Sequence, residues 1–159
     1  MAKKILVVVA VLGLIAVVSS QAKNEIQRLS GTWKLNIEKS KFNPGPGPKS
    51  QVLTWKPTAT GVDFTVDTVN AQGQATRQHA NGTYDDGKPF AFKTATYSGM
   101  RTVKWIDAHT FEETDTVDGK VRNSRRVVIS KDGKALTITS KGVNAQGQPT
   151  NNLTVYERQ

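Results

Sequence analysis

Thr110-Phe111-Glu112-Glu113-Thr114-Asp115-Thr116-Val117-Asp118-Gly119-Lys120-Val121-Arg122-Asn123-Ser124-Arg125-Arg126-Val127-Val128-Ile129-Ser130-Lys131-Asp132-Gly133-Lys134-Ala135-Leu136 is the stretch that decides the fold. Its β-branched and aromatic residues come in runs of strand length, and each run stops at an Asp-Gly pair. Asp-Gly accepts the positive φ angles of a tight hairpin turn, so Asp118-Gly119 and Asp132-Gly133 reverse the chain twice. Three consecutive antiparallel strands follow, over 110–117, 120–130 and 135–140.

The same reading extends in both directions. Beyond residue 30 a helical period is almost absent, and the pattern predicts further strands over 32–37, 51–56, 62–69, 75–84, 89–93, 101–107 and 152–158. Asp86-Gly87 and Asp107-Ala108-His109 supply further reversals. About ten short strands joined by local hairpins predict an all-β, single antiparallel up-and-down barrel of about 8–10 strands. Between the first two strands lies Phe42-Asn43-Pro44-Gly45-Pro46-Gly47-Pro48, too rich in proline for a helix and stiff enough to close a barrel end, with Phe42 as a plug for the apolar floor. Val69-Asn70-Ala71-Gln72-Gly73-Gln74 recurs unchanged as Val143 to Gln148, either a matched pair of rim loops or a connector used twice.

The N-terminus carries a different message. Lys3-Lys4, a 14-residue apolar run from Ile5 to Val18 and Ser20-Gln21-Ala22 read as a signal helix, a secretory peptide cleaved after Ala22. The run is shorter than the ~20 residues of a membrane span. Residues 23–159 then form one domain, secreted or periplasmic, with no stable membrane span after cleavage. The chain has no cysteine, so a disulfide cannot brace it and the core alone must hold it. Losing Lys3 and Lys4 takes the net charge from +9 to +7. Nucleic-acid binding needs that charge on one face, and strand alternation separates Arg125 from Arg122 and Arg126, so no nucleic acid is expected as a partner.

Ser30-Gly31-Thr32-Trp33-Lys34-Leu35 places a Gly-x-Trp on the first strand, and Val155-Tyr156-Glu157-Arg158 ends the last one. In this the chain resembles the lipocalin and fatty-acid-binding superfamily, the calycins. The resemblance implies that Trp33 closes one barrel end beneath a basic residue, for which Arg158 is the candidate. Lys39-Ser40-Lys41-Phe42, the Pro-Gly crossing, Ser130-Lys131-Asp132-Gly133-Lys134 and Gly147-Gln148-Pro149 also make the chain similar to small secreted bacterial proteins with lipocalin-like domains. Two departures stand out. Residues 38–50 are too short for the helix-turn-helix lid of fatty-acid-binding proteins, and Thr154-Val155-Tyr156 replaces their carboxylate-holding Arg-x-Tyr.

In a barrel, alternate residues face inward. Trp33, Leu35 and Ile37 share a face, as do Leu53 and Trp55, Val62, Phe64 and Val66, Leu136 and Ile138, and Leu153 and Val155. From these the expected pocket is Trp55, Phe64, Val66, Trp105, Ile138 and Val155, taking a small, mostly apolar ligand without a cofactor. Two other readings stand beside this one. A filled β-domain would recognise envelope polymers or a partner protein through its surface. A hydrolase or isomerase would use Glu113, Asp115 or His79, the two carboxylates being one strand repeat apart. His79 and His109 have no second ligand at metal-binding spacing, so no metal site is expected.

Overall fold

The computed structural model describes residues 26–159 except 60, 85, 86, 95, 96 and 145. Residues 1–22, expected to be a signal segment, and Asp86 of the Asp86-Gly87 reversal lie outside the described residues. After a helical turn at 26–29 come ten strands: β1 (Gly31–Lys41), β2 (Ser50–Pro57), β3 (Val62–Val69), β4 (Ala75–Gly82), β5 (Phe90–Lys93), β6 (Ser98–Asp107), β7 (Thr110–Val117), β8 (Lys120–Ile129), β9 (Ala135–Val143) and β10 (Pro149–Arg158). They form one antiparallel sheet in the order β4-β3-β2-β1-β10-β9-β8-β7-β6-β5. Every neighbour in this order is also a sequence neighbour except the β1–β10 pair, which brings the chain ends together. The result is a nearly closed up-and-down barrel, with its gap between β4 and β5. Phe90 packs against Gly82 across that gap, where a Cβ would meet the ring at 2.8 Å.

Turn chemistry sets the meander. Asp118 (φ 50°) and Gly119 (φ 73°) both take positive φ, as the β7–β8 hairpin requires. The repeated hexapeptide builds one turn twice. Asn70 Oδ1 accepts from the backbone of Gln72 and Gln74, at 3.0 and 2.9 Å, and Asn144 Oδ1 does the same for Gln146 and Gln148 at the same distances. In each copy the Asn amide also donates to the Gln side chain four residues on. These polar groups are spent on the turns themselves, which accounts for the repetition as a self-satisfied connector.

The closed end is sealed first. Trp33 is fully buried, donates its indole N–H to Leu29 O at 2.9 Å, and lies beneath Arg158, whose guanidinium sits 4.1 Å from the ring centroid. Arg158 also donates to Gly133 O (2.7 Å), Arg28 O (2.6 Å) and Ser30 O, tying the β8–β9 turn and the chain entry to the floor. Gly31 has φ +123°, and its missing side chain leaves room for that guanidinium. Above the floor lies an aromatic layer in which Trp55 packs edge-on against Phe64, Tyr84 and Phe111, at centroid distances of 4.5, 5.9 and 6.2 Å.

The structure corrects the expected orientations of Ile37, Leu153, Val155 and Arg122. Ile37 is 47% exposed, because β1 breaks register with β10 between Asn36 and Lys41 and the intervening residues loop outward. Leu153 and Val155 fall on the outer face. Register pairs Trp33 with Arg158 and Leu35 with Tyr156, so the inward residues of β10 are Asn152, Thr154 and Tyr156. Arg122 is the extra residue of a bulge, since Asp115 pairs with Asn123 and Thr116 with Val121. This breaks the alternation from Arg126, and the Arg122 guanidinium stacks 4.6 Å from the Tyr97 ring.

Candidate functional site

The inward residues of each strand change character from the closed end to the open one. Along β2 they run Trp55, Leu53, Gln51; along β8 Ile129, Val127, Arg125; along β9 Leu136, Ile138, Ser140; along β7 Phe111, Glu113, Asp115. Where they turn polar they stop filling the interior, and a cavity of about 430 Å³ opens above the aromatic layer. Its apolar wall is Leu53, Trp55, Phe64, Val66, Val127 and Ile138; Gln51, Gln78, Ser140, Asn152, Thr154 and Tyr156 add polar groups. The alternative of a wholly filled interior does not fit this cavity.

Phe42, Pro44, Pro46, Gly47 and Pro48 roof this cavity. The strap sits at the end opposite Trp33, so Phe42 does not plug the floor; it lines the mouth. The reason lies in strand direction: β1 begins at the floor with Gly31 and delivers Phe42 to the other rim. The strap is pinned on both sides, by Asn43 N to Asn152 Oδ1 (2.9 Å), Asn151 N to Asn43 O (2.8 Å) and Lys49 N to Val69 O (2.8 Å). The Phe42 ring lies directly on Gly47, where a Cβ has no room.

Four charged side chains meet inside the upper barrel. Arg101 grips Asp115 with both arms of its guanidinium, Nε to Oδ1 at 2.6 Å and a terminal nitrogen to Oδ2 at 3.1 Å. Arg125 reaches Asp115 at 3.0 Å and Glu113 at 3.4 Å. Tyr84 donates to Glu113 (3.0 Å) and Tyr97 to Asp115 (2.8 Å), while Arg101 also covers the Phe92 ring at 4.5 Å. Burial pushes the Asp115 carboxyl upward, but the Arg101 hydrogen bonds and the charges of Arg125 and Arg101 outweigh it and hold the group below its ordinary value. Burial likewise works against the charge on Arg101 and Arg125, and the facing carboxylates more than restore it. Tyr84 is pushed well above its ordinary value by burial and the Glu113 charge, and burial takes Tyr156 to about 12.

Of the expected pocket residues, Trp55, Phe64, Val66 and Ile138 come together on the cavity wall. Trp105 stays below them, packed on Phe111 at 4.8 Å, and Val155 lies outside. Of the residues of the catalytic alternative, Glu113 and His79 both border the cavity, while Asp115 does not line it. Glu113 and Asp115 are neutralised within the network, and His79 sits in register with Thr65, one step out of phase with Gln78 and Ala80, its imidazole 2.5 Å from Asp63. The Arg101–Arg125 pair was the site feature missed from sequence. Its signal was the alternation itself, since Val127 is buried and Arg125 lies two residues away. Pairing both arginines with the carboxylates of β7 needed the strand register.

No protein-family model matches the chain. No curated protein matches it either. Solved structures do match in shape. The fluorescent protein UnaG superposes with a TM-score of 0.54 at 16% identity, over 84% of this chain and 99% of that one. A Schistosoma mansoni fatty acid binding protein in complex with arachidonic acid gives 0.54 at 16% identity, over 85% and 98%. At this identity the match speaks to fold alone: the chain has the calycin-like barrel of the fatty-acid-binding proteins.

Proposed function

We propose that this barrel is an extracytoplasmic binding protein that holds one small, mostly apolar molecule in its upper half. The observation that carries the reading is the cavity of about 430 Å³, apolar on its deep wall, polar higher up and roofed by a strap. Its size falls within the range typical of small-molecule sites, and burial of an apolar guest there contributes ~25 cal/mol per Å² of surface removed from water. The shared barrel of a protein that holds arachidonic acid supports the same reading. The leader at 1–22 supports export, with the protein working after cleavage at Ala22.

Native mass spectrometry of protein recovered from its own host tests this directly. The expected result is a stoichiometric mass increment, released on denaturation as an apolar compound, on a chain that begins at Lys23. Protein that carries no passenger and also fails to take up apolar probes overturns the carrier reading.

A further inference from the structure

The cavity is bordered differently on one side of the barrel. Where the sheet is continuous, alternate residues of each strand wall it, as do Arg125 and Val127 of β8 and Ile138 and Ser140 of β9. At the two ends of the sheet it is bordered instead by consecutive residues, Gln78, His79 and Ala80 from β4 and Phe92, Lys93 and Thr94 from β5 and the residue after it. Inward and outward residues of one strand both border a space only where that space lies beside the strand's edge. His79 and Lys93 are the outward ones. His79 is exposed and bonds to Asp63, which alternates with the inward Val62 and Phe64, and the exposed Lys93 follows the buried Phe92. The cavity therefore reaches the edges of β4 and β5, and through them the outside.

Among the described residues no backbone ladder joins these two edges. The strands run antiparallel and meet at the floor end, where Phe90 lies on Gly82. Counting upward from that contact sets Ala80 opposite Phe92 and Gln78 opposite Thr94, so the residues that border the cavity face each other across a slot. An outer hollow lined by Asn81, Gly82, Phe90 and Ala91 continues the same gap toward the floor. The mouth, by contrast, is shut by the strap, which Asn43 and Lys49 pin through backbone hydrogen bonds of 2.8–2.9 Å. Lifting the strap breaks those bonds, whereas widening the slot breaks no ladder. Resting on the carrier reading, we infer that the guest enters and leaves sideways, between β4 and β5, while the strap stays closed.

The chain has no cysteine, so one introduced thiol marks one place. Lys93→Cys puts it on the lip of the slot. Gly45→Cys puts it on the strap, where an added Cβ comes no nearer than 3.8 Å to any residue beyond its chain neighbours. Each variant is coupled to a bulky maleimide, and stopped-flow fluorescence follows uptake and release of N-phenyl-1-naphthylamine, an uncharged apolar dye. A plug on the path slows entry and exit by the same factor and leaves Kd unchanged. The Lys93→Cys adduct is expected to slow both rates at least ~10-fold with Kd within ~2-fold of the parent, and the Gly45→Cys adduct to change neither rate. No slowing at the slot, or slowing by the strap adduct as large as that at the slot, overturns the inference and leaves the carrier reading standing. A weakened Kd with an unchanged association rate also overturns it, by placing the label on the guest's seat rather than its path. Parent protein that takes up no dye overturns both readings. If Lys93→Cys does not fold, His79→Cys on the opposite lip carries the same adduct and the same expectation.

Discussion

The two halves of the barrel are built from the same ten strands and solve opposite problems. Below the aromatic layer, Trp33, Leu29, Val103, Phe111 and Leu136 are fully buried and the interior is filled. Above it, the same strands turn inward Arg101, Glu113, Asp115 and Arg125, which need partners rather than packing, and space remains. Apolar side chains interdigitate to close density. Charged ones must keep hydrogen-bonding geometry and hold the walls apart. The lower half therefore carries the stability that a disulfide-free domain needs, and the upper half is free to be hollow.

The largest test of this division is Trp33→Ala, which removes the floor and the platform for Arg158. The expected loss is about 3–5 kcal/mol in denaturant unfolding, as for other large buried aromatics. A variant that unfolds at the parent's midpoint would refute the floor's structural role. Next comes Asp115→Asn in the upper half, which strands Arg101 and Arg125 beside a single carboxylate. Removing one partner of a buried charge group costs about 3 kcal/mol or more. The pH dependence should change as well. Because the Asp115 pKa is depressed in the folded state, its contribution is present above the unfolded value of ~3.9 and lost as pH falls through the folded one. Parent and variant should therefore converge in stability toward acid pH, and curves that stay parallel would show that Asp115 carries no such linkage.

How much of this was legible beforehand divides along the same line. The lower half follows from local signals: Gly-x-Trp, Asp-Gly turns and apolar alternation name the fold and the floor. Arg158 over Trp33 even contains the orientation of β10, because counting back two residues from Arg158 brings Tyr156 inward and leaves Val155 outside. What alternation cannot carry past is a bulge, and both failures of parity, Ile37 and Arg122, sit where register slips by bulging. The upper half was opaque for another reason. Glu113, Asp115, Arg101 and Arg125 lie on three strands, and an acidic strand reads as a solvated face until register sets arginines opposite it.

A smaller effect separates the halves at alkaline pH. The chain's three tyrosines, Tyr84, Tyr97 and Tyr156, all have raised pKa values, for each of which burial is the first cause. A raised acid pKa means that the folded state keeps protons the unfolded chain gives up near 10. Stability is then intact below pH 10 and falls as pH rises toward the folded values, by roughly 2 kcal/mol for Tyr156 alone by pH 12. Tyrosinate absorbance should stay low past pH 10 and rise together with loss of near-ultraviolet circular dichroism. A tyrosine that titrates freely near 10 in folded protein would mean that the upper barrel admits bulk water to it.

The smallest expected change in stability is the most informative about function. Ser140 is half-buried on the cavity wall, two residues along β9 from Ile138 and four from the fully buried Leu136. Enlarging a side chain inside a well-packed core typically costs about 1–3 kcal/mol through strain, so Val103→Leu in the filled half should fall in that range. Ser140→Leu enlarges a side chain by more, yet it has empty volume to enter and apolar neighbours in Ile138 and Val127, so its cost should stay below ~1 kcal/mol. The same substitution occupies part of the space assigned to the guest and should weaken uptake of an apolar probe at least ~10-fold. Unfolding and binding measured side by side on these two variants therefore give opposite signatures, destabilised but binding for Val103→Leu and stable but empty for Ser140→Leu. Equal destabilisation of both would mean that the upper half is packed as tightly as the lower.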